Sequence, residues 1–279
     1  MYKLVCVDMD GTLLNSKKKI SNANKIALKK AYDLGVHIVI TTGRIYVNAA
    51  YYSNLIGVGS SVIAANGGII REKDEFIYKC IMSRDVNTKI LEICNKYKVN
   101  PRFHTFKDTY DGKSFFDFMN IMFFYQLVFR IKIKDYKVTL HHIKSAKEWE
   151  NVFKNEEKEI IKCDIIDSDA KKIQKIKEEL KRIPSIQVLG AGIHSIEVTH
   201  ESVSKGAAVK YLAERYKIKQ EEIITIGDNE NDMEMIEYGG LGIAMGNAIE
   251  ILKDKADYIA ATNDEDGVAK VIEKFVLNN

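Results

Sequence analysis

Val5-Cys6-Val7-Asp8-Met9-Asp10-Gly11-Thr12-Leu13-Leu14 is the stretch that decides the fold. An apolar run from Leu4 to Val7 stops abruptly at two carboxylates one residue apart, followed by Gly11 and Thr12. That is the pattern of a buried parallel strand whose carboxyl end opens into a loop. In an open α/β sheet, ligands gather at that end. Side chains two apart on an extended segment point the same way, so Asp8 and Asp10 face one crevice, and Gly11 permits a turn that a Cβ hinders. Two carboxylates this close repel each other unless a cation lies nearby, and such an oxygen-rich site suits Mg2+. Taken alone, the run also reads as a plain Asp-Gly turn, so its neighbours must decide.

Outward from this stretch, Ser21 caps a helix over 22–34 that Gly35 ends, and Val36-His37-Ile38-Val39-Ile40 is a second buried strand. Strand, helix and strand in that order form a right-handed parallel unit. The second strand ends in Thr41-Thr42-Gly43-Arg44, which brings hydroxyls and a glycine to the crevice edge; His37 merely starts it. A helix over 46–56 leads to a third strand, Ser61-Val62-Ile63-Ala64-Ala65, and then to Asn66-Gly67-Gly68. Asn66-Gly67 reads both as a polar residue at a strand end and as a hairpin turn into Ile69-Ile70, and the two readings are compatible.

From residue 83 the alternation breaks. The spacing predicts a helix over 86–97, an extended segment over 101–106, a turn at Asp111-Gly112 and an aromatic packed segment at 115–129. Next come a solvated Lys/Glu-rich helix in 144–162 over Trp149 and Phe153, a strand at 160–166 and an amphipathic helix at 170–182. Segments 186–189 and 193–199 pair around Gly190-Ala191-Gly192. His104, Lys113 and His194 of this α+β region either line a pocket or are simply exposed. Alternation resumes with a helix opened by Ser204-Lys205-Gly206, where Lys205 runs against the macrodipole unless an anion lies nearby. Strand 223–226 then ends in Gly227-Asp228-Asn229-Glu230-Asn231-Asp232, with Asp228 and Asp232 spaced to share the face of a first helical turn. Short strands at 242–245 and 258–259 and helices at 248–253 and 268–275 complete the chain. The expected fold class is α/β, a doubly wound parallel-sheet core formed by 1–82 and 200–279, with an α+β domain inserted at 83–199.

The 279 residues, 46% hydrophobic and 29% charged, suit a two-domain globular protein. The net charge of +3 is spread without a basic block, which argues against nucleic acid or a membrane surface as partner. Cys6, Cys80, Cys94 and Cys163 lack metal-site or disulfide spacing, and no leader sequence is evident, so a cytoplasmic location is expected.

Strand ends bearing Asp8/Asp10, Thr42, Asn66 and Asp228/Asp232, with Lys205 at a helix start, make the chain resemble the haloacid-dehalogenase-like (HAD) phosphohydrolases, and among them the Cof-type members with a large cap after the second motif. Asp8-Met9-Asp10-Gly11-Thr12, Thr42-Gly43-Arg44, Lys205-Gly206 and Gly227 to Asp232 resemble the four motifs in order; Asn66-Gly67, Ala244-Met245-Gly246-Asn247-Ala248 and Glu265-Asp266-Gly267-Val268 are further echoes. The resemblance implies a Rossmann-like core, an α+β cap that selects the substrate, and a small phosphate ester, most simply a sugar phosphate. It implies Asp8 as nucleophile, Asp10 as acid and base, and Thr42, Gly43 and Lys205 as phosphate-binding residues. Mg2+ would be held by Asp8, Asp228 and the main-chain carbonyl of Asp10, supported by Asp232 and Asn231. Arg44 and Asn66 would touch substrate or brace the cap. Asp10 favours ester hydrolysis over dehalogenation, because dehalogenases of the family lack the second acid. Phosphosugar mutase chemistry is the alternative within the family. A receiver-type phosphoryl acceptor or a silent phosphate binder is the alternative outside it.

Overall fold

The computed structural model describes residues 1–73, 75–112, 138–190 and 192–278. In chain order the first elements are β1 (Leu4–Asp8), α1 (Asn22–Asp33), β2 (His37–Thr41), α2 (Tyr46–Ile56), β3 (Ser61–Ala64), β4 (Ile69–Glu72) and β5 (Glu75–Lys79). The middle of the chain forms α3 (Arg84–Lys96), β6 (Pro101–His104), β7 (Asp108–Asp111), β8 (Thr139–His142), α4 (Ala146–Lys154), β9 (Lys162–Ile166), α5 (Ala170–Leu180), β10 (Ile186–Gly190) and β11 (Ser195–His200). The last part forms α6 (Lys205–Tyr216), β12 (Ile223–Gly227), α7 (Met233–Tyr238), β13 (Leu241–Ala244), α8 (Glu250–Lys253), β14 (Tyr258–Ile259) and α9 (Gly267–Ile272). Two compact units result, Met1–Tyr78 with Ser204–Asn279, and Lys79–Val203.

The first unit is built on an eight-stranded sheet in the order β14-β13-β12-β1-β2-β3-β4-β5. Strands β14 through β3 run parallel, and β4 returns antiparallel to β3. Because alternate side chains of a strand point to opposite faces, β1 feeds two separate cores. Val5 and Val7 pack with Leu28 of α1, Ile56 of α2 and Val268 and Ile272 of α9. Leu4 and Cys6 pack on the other side with Val209 and Leu212 of α6. A strand apolar on both faces is stable only when helices cover both, which is why Leu4 to Val7 reads as a continuous apolar run.

The second unit carries a six-stranded sheet in the order β10-β11-β9-β6-β7-β8. One face, with Phe103, Cys163, Ile165, Ile196 and Val198, packs against Ile90, Trp149 and Ile176 of the helices. The register places charged residues side by side on the other face: Arg102 opposite Asp111 and Asp164, His104 opposite Thr109 and Lys162, and Glu197 opposite Asp164. Arg102 Nε donates to Asp111 Oδ2 at 2.5 Å, and Lys162 Nζ lies 2.7 Å from Glu197 Oε1 and 3.1 Å from Asp164 Oδ1. Burial works against charge on both Lys162 and Asp164, yet their mutual attraction, helped by Glu197 on the lysine and His104 on the carboxyl, keeps Lys162 protonated and holds Asp164 well below the usual carboxylate range.

Here the structure corrects three readings. The Lys/Glu-rich helix ends at Lys154, and Lys162 is not on a solvated face but 3% exposed in β9. Asp111 lies within strand β7, and the turn comes earlier, where Thr105 Oγ1 accepts the Asp108 N–H at 2.9 Å. His104 is buried in the sheet, with Nδ1 2.9 Å from Thr109 Oγ1, whereas His194 is exposed in a turn. Composition could not separate a buried lysine from a solvated one, because the difference lies in the strands beside it. Lys113 and the aromatic segment 115–129 lie outside the described residues. Among those described, no helix is long and apolar enough to cross a membrane.

Removing one member of a buried ion pair strands the others, so Lys162→Ala should lower the urea midpoint of the second unit by the equivalent of about 3–5 kcal/mol. Asp164, ionised more readily folded than unfolded, should add a stabilisation that is complete above about pH 4 and lost as pH falls further.

Candidate active site

Strands β1 and β12 are neighbours where the winding reverses: β2 and β3 extend the sheet one way, β13 and β14 the other. The crevice at the carboxyl ends of such a pair is where an open α/β sheet binds ligands. Asp8 is the last residue of β1, and following Leu4 and Cys6 in the alternation it leans toward α6. Lys205, the first residue of that helix, is 1% exposed, and its Nζ donates to Asp8 Oδ1 at 2.5 Å and Asp232 Oδ1 at 2.6 Å. The anions that offset a cation at this helix start are therefore the protein's own carboxylates.

Asp232 is held on both oxygens, since its Oδ2 accepts the N–H groups of Asp228 at 2.9 Å and Asn229 at 3.1 Å. It does not share a helical turn with Asp228, as the spacing had suggested. Asp228 lies in the loop after β12, and Asp232 ends a 3-10 turn (Glu230–Asp232) that precedes α7. Thr12 Oγ1 donates to Asp228 Oδ1 at 2.8 Å. Gly11 sits at φ +84°, and a Cβ there would overlap the Asp228 carboxylate, so glycine is needed for space as well as for the turn.

Oxygens of Asp8, Asp228 and Asp232 all lie within 4.8 Å of one another. Burial, reinforced by the charge of Asp232, pushes the Asp8 carboxyl well up, and the same causes push Asp228 up to about 6. Lys205 stays protonated because Asp232 and Asp8 outweigh the cost of its burial. Three carboxylates against one ammonium is an imbalance that a divalent cation removes, and oxygen donors of this type fit a hard cation. With both oxygens of Asp232 engaged, Asp8 and Asp228 are the side chains best placed to hold it.

The Asp10 side chain takes no part in that cluster. Arg44 Nε donates to its Oδ2 at 2.7 Å and Arg44 Nη2 to its Oδ1 at 2.6 Å, a bidentate pair, and Lys18 Nζ joins Oδ1 at 3.0 Å. Burial would raise the Asp10 carboxyl, but Arg44 and then Lys18 hold it below the usual range. Thr42, 1% exposed, follows β2; its N–H donates to Ile63 O at 2.9 Å and its Oγ1 accepts the Arg44 N–H at 3.1 Å, with Gly43 in the bend between. Asn66, at φ 57°, sits in the 3-10 turn of the β3–β4 hairpin, and its Oδ1 accepts from Asn231 Nδ2 at 2.9 Å. Asn66-Gly67 is thus a hairpin connection that also carries a polar side chain to its neighbour across the sheet end.

The structure therefore brings Asp8, Asp228, Asp232 and Lys205 into one cluster, joins Asp10 to Arg44, and joins Asn66 to Asn231. Lys18, Asn24 and Asn263 were not singled out from sequence, and Thr12 and Asn247 were quoted only within longer motif stretches. Asn247 Nδ2 donates to Gly11 O at 2.8 Å, Asn263 Nδ2 to Leu14 O at 2.8 Å and Asn24 Nδ2 to Leu13 O at 3.4 Å. Of these, Thr12 and Asn247 carried a visible signal, the first as the hydroxyl beside the paired carboxylates and the second in the Ala244 to Ala248 run.

A doubly wound sheet with an inserted α+β unit, strand-end carboxylates and a buried lysine defines a hydrolase of the phosphoryl-transfer type. The chain belongs to the haloacid dehalogenase-like hydrolases, whose family model matches residues 5–272. It is similar to a 5-amino-6-(5-phospho-D-ribitylamino)uracil phosphatase of Bacillus subtilis, 31% identical over 99% of this chain and 96% of that protein. It is 28% identical to a phosphoglycolate phosphatase of Methanobrevibacter smithii, covering 98% of each chain. The crystal structure of a haloacid dehalogenase-like hydrolase from Bacteroides thetaiotaomicron superposes with a TM-score of 0.83 at 28% identity, over 98% of this chain and 99% of that one. The protein is a phosphatase of this superfamily, acting on phosphorylated substrates.

Gly11→Ala should displace Asp228 and lower phosphatase kcat/KM about a hundredfold or more, the scale of a 1 Å misplacement, without loss of the folded circular-dichroism spectrum. Protons should compete with a divalent cation at both Asp8 and Asp228, so the affinity for such a cation measured by calorimetry should fall as pH is lowered, most steeply below about pH 6 where both carboxyls take up protons.

Proposed function

We propose that the protein is an Mg2+-dependent phosphatase of a small phosphorylated metabolite of sugar-phosphate size, acting through an aspartyl-phosphate on Asp8. The observation that carries this reading is the placement of Asp8: buried, at a strand end, joined to Lys205 and beside Asp228. Mg2+ held by Asp8, Asp228 and the Asp10 carbonyl would supply positive charge between an anionic nucleophile and an anionic substrate. The Asp8 carboxylate attacks phosphorus in line; the phosphorus–ester oxygen bond breaks, and the leaving alcohol takes a proton from Asp10, which must be protonated in the substrate complex against the pull of Arg44 and Lys18. Water then attacks the acyl phosphate, Asp10 takes a proton from it, and the Asp8–phosphorus bond breaks to regenerate the carboxylate. Lys205 and Thr42, with the main chain at Gly43, hold the phosphoryl oxygens, and Lys205 supplies charge where the transition state needs it. Asp232 fixes Lys205 and the Asp228 loop, Asn231 and Asn66 brace the rim, and Arg44 positions Asp10. Residues 83–199 form the cap that selects the substrate, and 1–82 with 200–279 the catalytic core.

Phosphate release from p-nitrophenyl phosphate should require Mg2+, stop with chelator and return when the metal is restored. Asp8→Asn, the same size but not nucleophilic, should reduce it to background. Turnover that survives Asp8→Asn would overturn the assignment of the nucleophile.

A further inference from the structure

Two cations converge on the single carboxylate of Asp10. Arg44 is four-fifths buried, its guanidinium carbon lies 5.2 Å from the centre of the Tyr52 ring, and its third nitrogen, Nη1, is buried with no hydrogen-bond acceptor. Lys18 approaches from the solvent side, with its side chain 60% exposed. Together the three groups carry a net positive charge, the reverse of the Asp8, Asp228, Asp232 and Lys205 cluster. The two halves of the site are therefore electrostatically distinct: one built for metal and phosphoryl group, the other positive where the acid meets the leaving alcohol.

The loop that delivers Lys18 is tightly built. Asn15 Oδ1 accepts the N–H groups of Lys17 at 3.1 Å and Lys19 at 3.0 Å, while Asn15 N donates to Lys19 O at 3.0 Å. Ser16 N donates to Asp264 Oδ1 at 2.9 Å, which ties the loop to a distant part of the unit. Lys18 itself takes the left-handed conformation at φ 55°, one that a lysine adopts only where the surrounding bonds demand it. Lys17 and Lys19 are exposed, and no bond to Asp10 is found for either.

We propose that Lys18, with Arg44, is a specificity-determining contact for a carboxylate on the alcohol portion of the substrate. This rests on the phosphatase reading above and narrows it to phosphate esters of hydroxy acids and sugar acids. An ester oxygen in hydrogen-bond reach of Asp10 lies at most about 8 Å from the Lys18 ammonium, so the recognised carboxylate sits on the alcohol portion close to the ester. Such a group accepts from the exposed Lys18 ammonium, beside which the buried Arg44 adds positive charge, whereas a neutral alcohol leaves that charge without a new partner.

The test compares kcat/KM for 3-phosphoglycerate and glycerol 3-phosphate, matched three-carbon esters that differ in the carboxylate, with p-nitrophenyl phosphate as reference. The wild type should prefer 3-phosphoglycerate about tenfold, and Lys18→Ala should abolish that preference, mainly through KM, as expected for loss of one charge-assisted hydrogen bond. Lys18→Arg should restore it, and Lys17→Ala should leave the ratio unchanged. Absence of a wild-type preference, or an equal fall for both esters in Lys18→Ala, would overturn the inference and mark Lys18 as a mere brace for Asp10. If none of the three esters is turned over with Mg2+, the phosphatase reading itself fails.

Discussion

An ammonium buried between two carboxylates from opposite ends of the chain is the constraint on which the site depends. Lys205 has no contact with bulk water to speak of, and taking a charge out of water costs several kcal/mol unless close partners replace the solvent. Asp8 and Asp232 are those partners, and each is fixed by something else: Asp8 by the central strand, Asp232 by two main-chain N–H groups of the loop it closes. The geometry is thus overdetermined at Lys205 and Asp232 and leaves Asp8 and Asp228 with surplus negative charge. Surplus charge of this kind, on oxygens that lie close together, suits a hard divalent cation.

The same logic governs the second unit with a different outcome. Arg102, Lys162, Asp111, Asp164 and Glu197 lie on one face of the sheet, and each of the three carboxylates has an arginine or lysine partner on its own or a neighbouring strand. There every acid is paired, whereas at the strand ends of the first unit Asp8 and Asp232 share one lysine and Asp228 is met by the Thr12 hydroxyl. Complete pairing in one place and incomplete pairing in the other separates a structural ion network from a site that asks for a ligand.

Much of this was legible because a parallel α/β core writes itself in apolar runs that stop at polar residues. Leu4 to Val7, Val36 to Ile40 and Ile223 to Ile226 fell into place on that pattern, and the residues after them supplied Asp8, Thr42 and Asp228. Lys162 and Asp111 were misread because composition and turn preference are local, while burial is decided by strands elsewhere in the chain. Lys18 escaped notice for a related reason: a lysine in a polar loop is ordinary until a partner is placed beside it. Thr12 was visible as part of the first motif, but its bond to Asp228, across 216 positions, was not.

The asparagine stitches around the Gly11 to Leu14 loop bear on when the site comes into being. Strand β1 is made well before its partner β12, the ammonium of Lys205, the acids Asp228 and Asp232, and the side chains of Asn247 and Asn263, all of which follow more than 190 positions later. A nascent chain that ends before Lys205 holds Asp8 but none of the charges, Lys205, Asp228 and Asp232, that set its environment. The cluster therefore cannot assemble piecemeal during synthesis. Asp8 stays an ordinary aspartate until the segments carrying Lys205, Asp228 and Asp232 are available to enclose it.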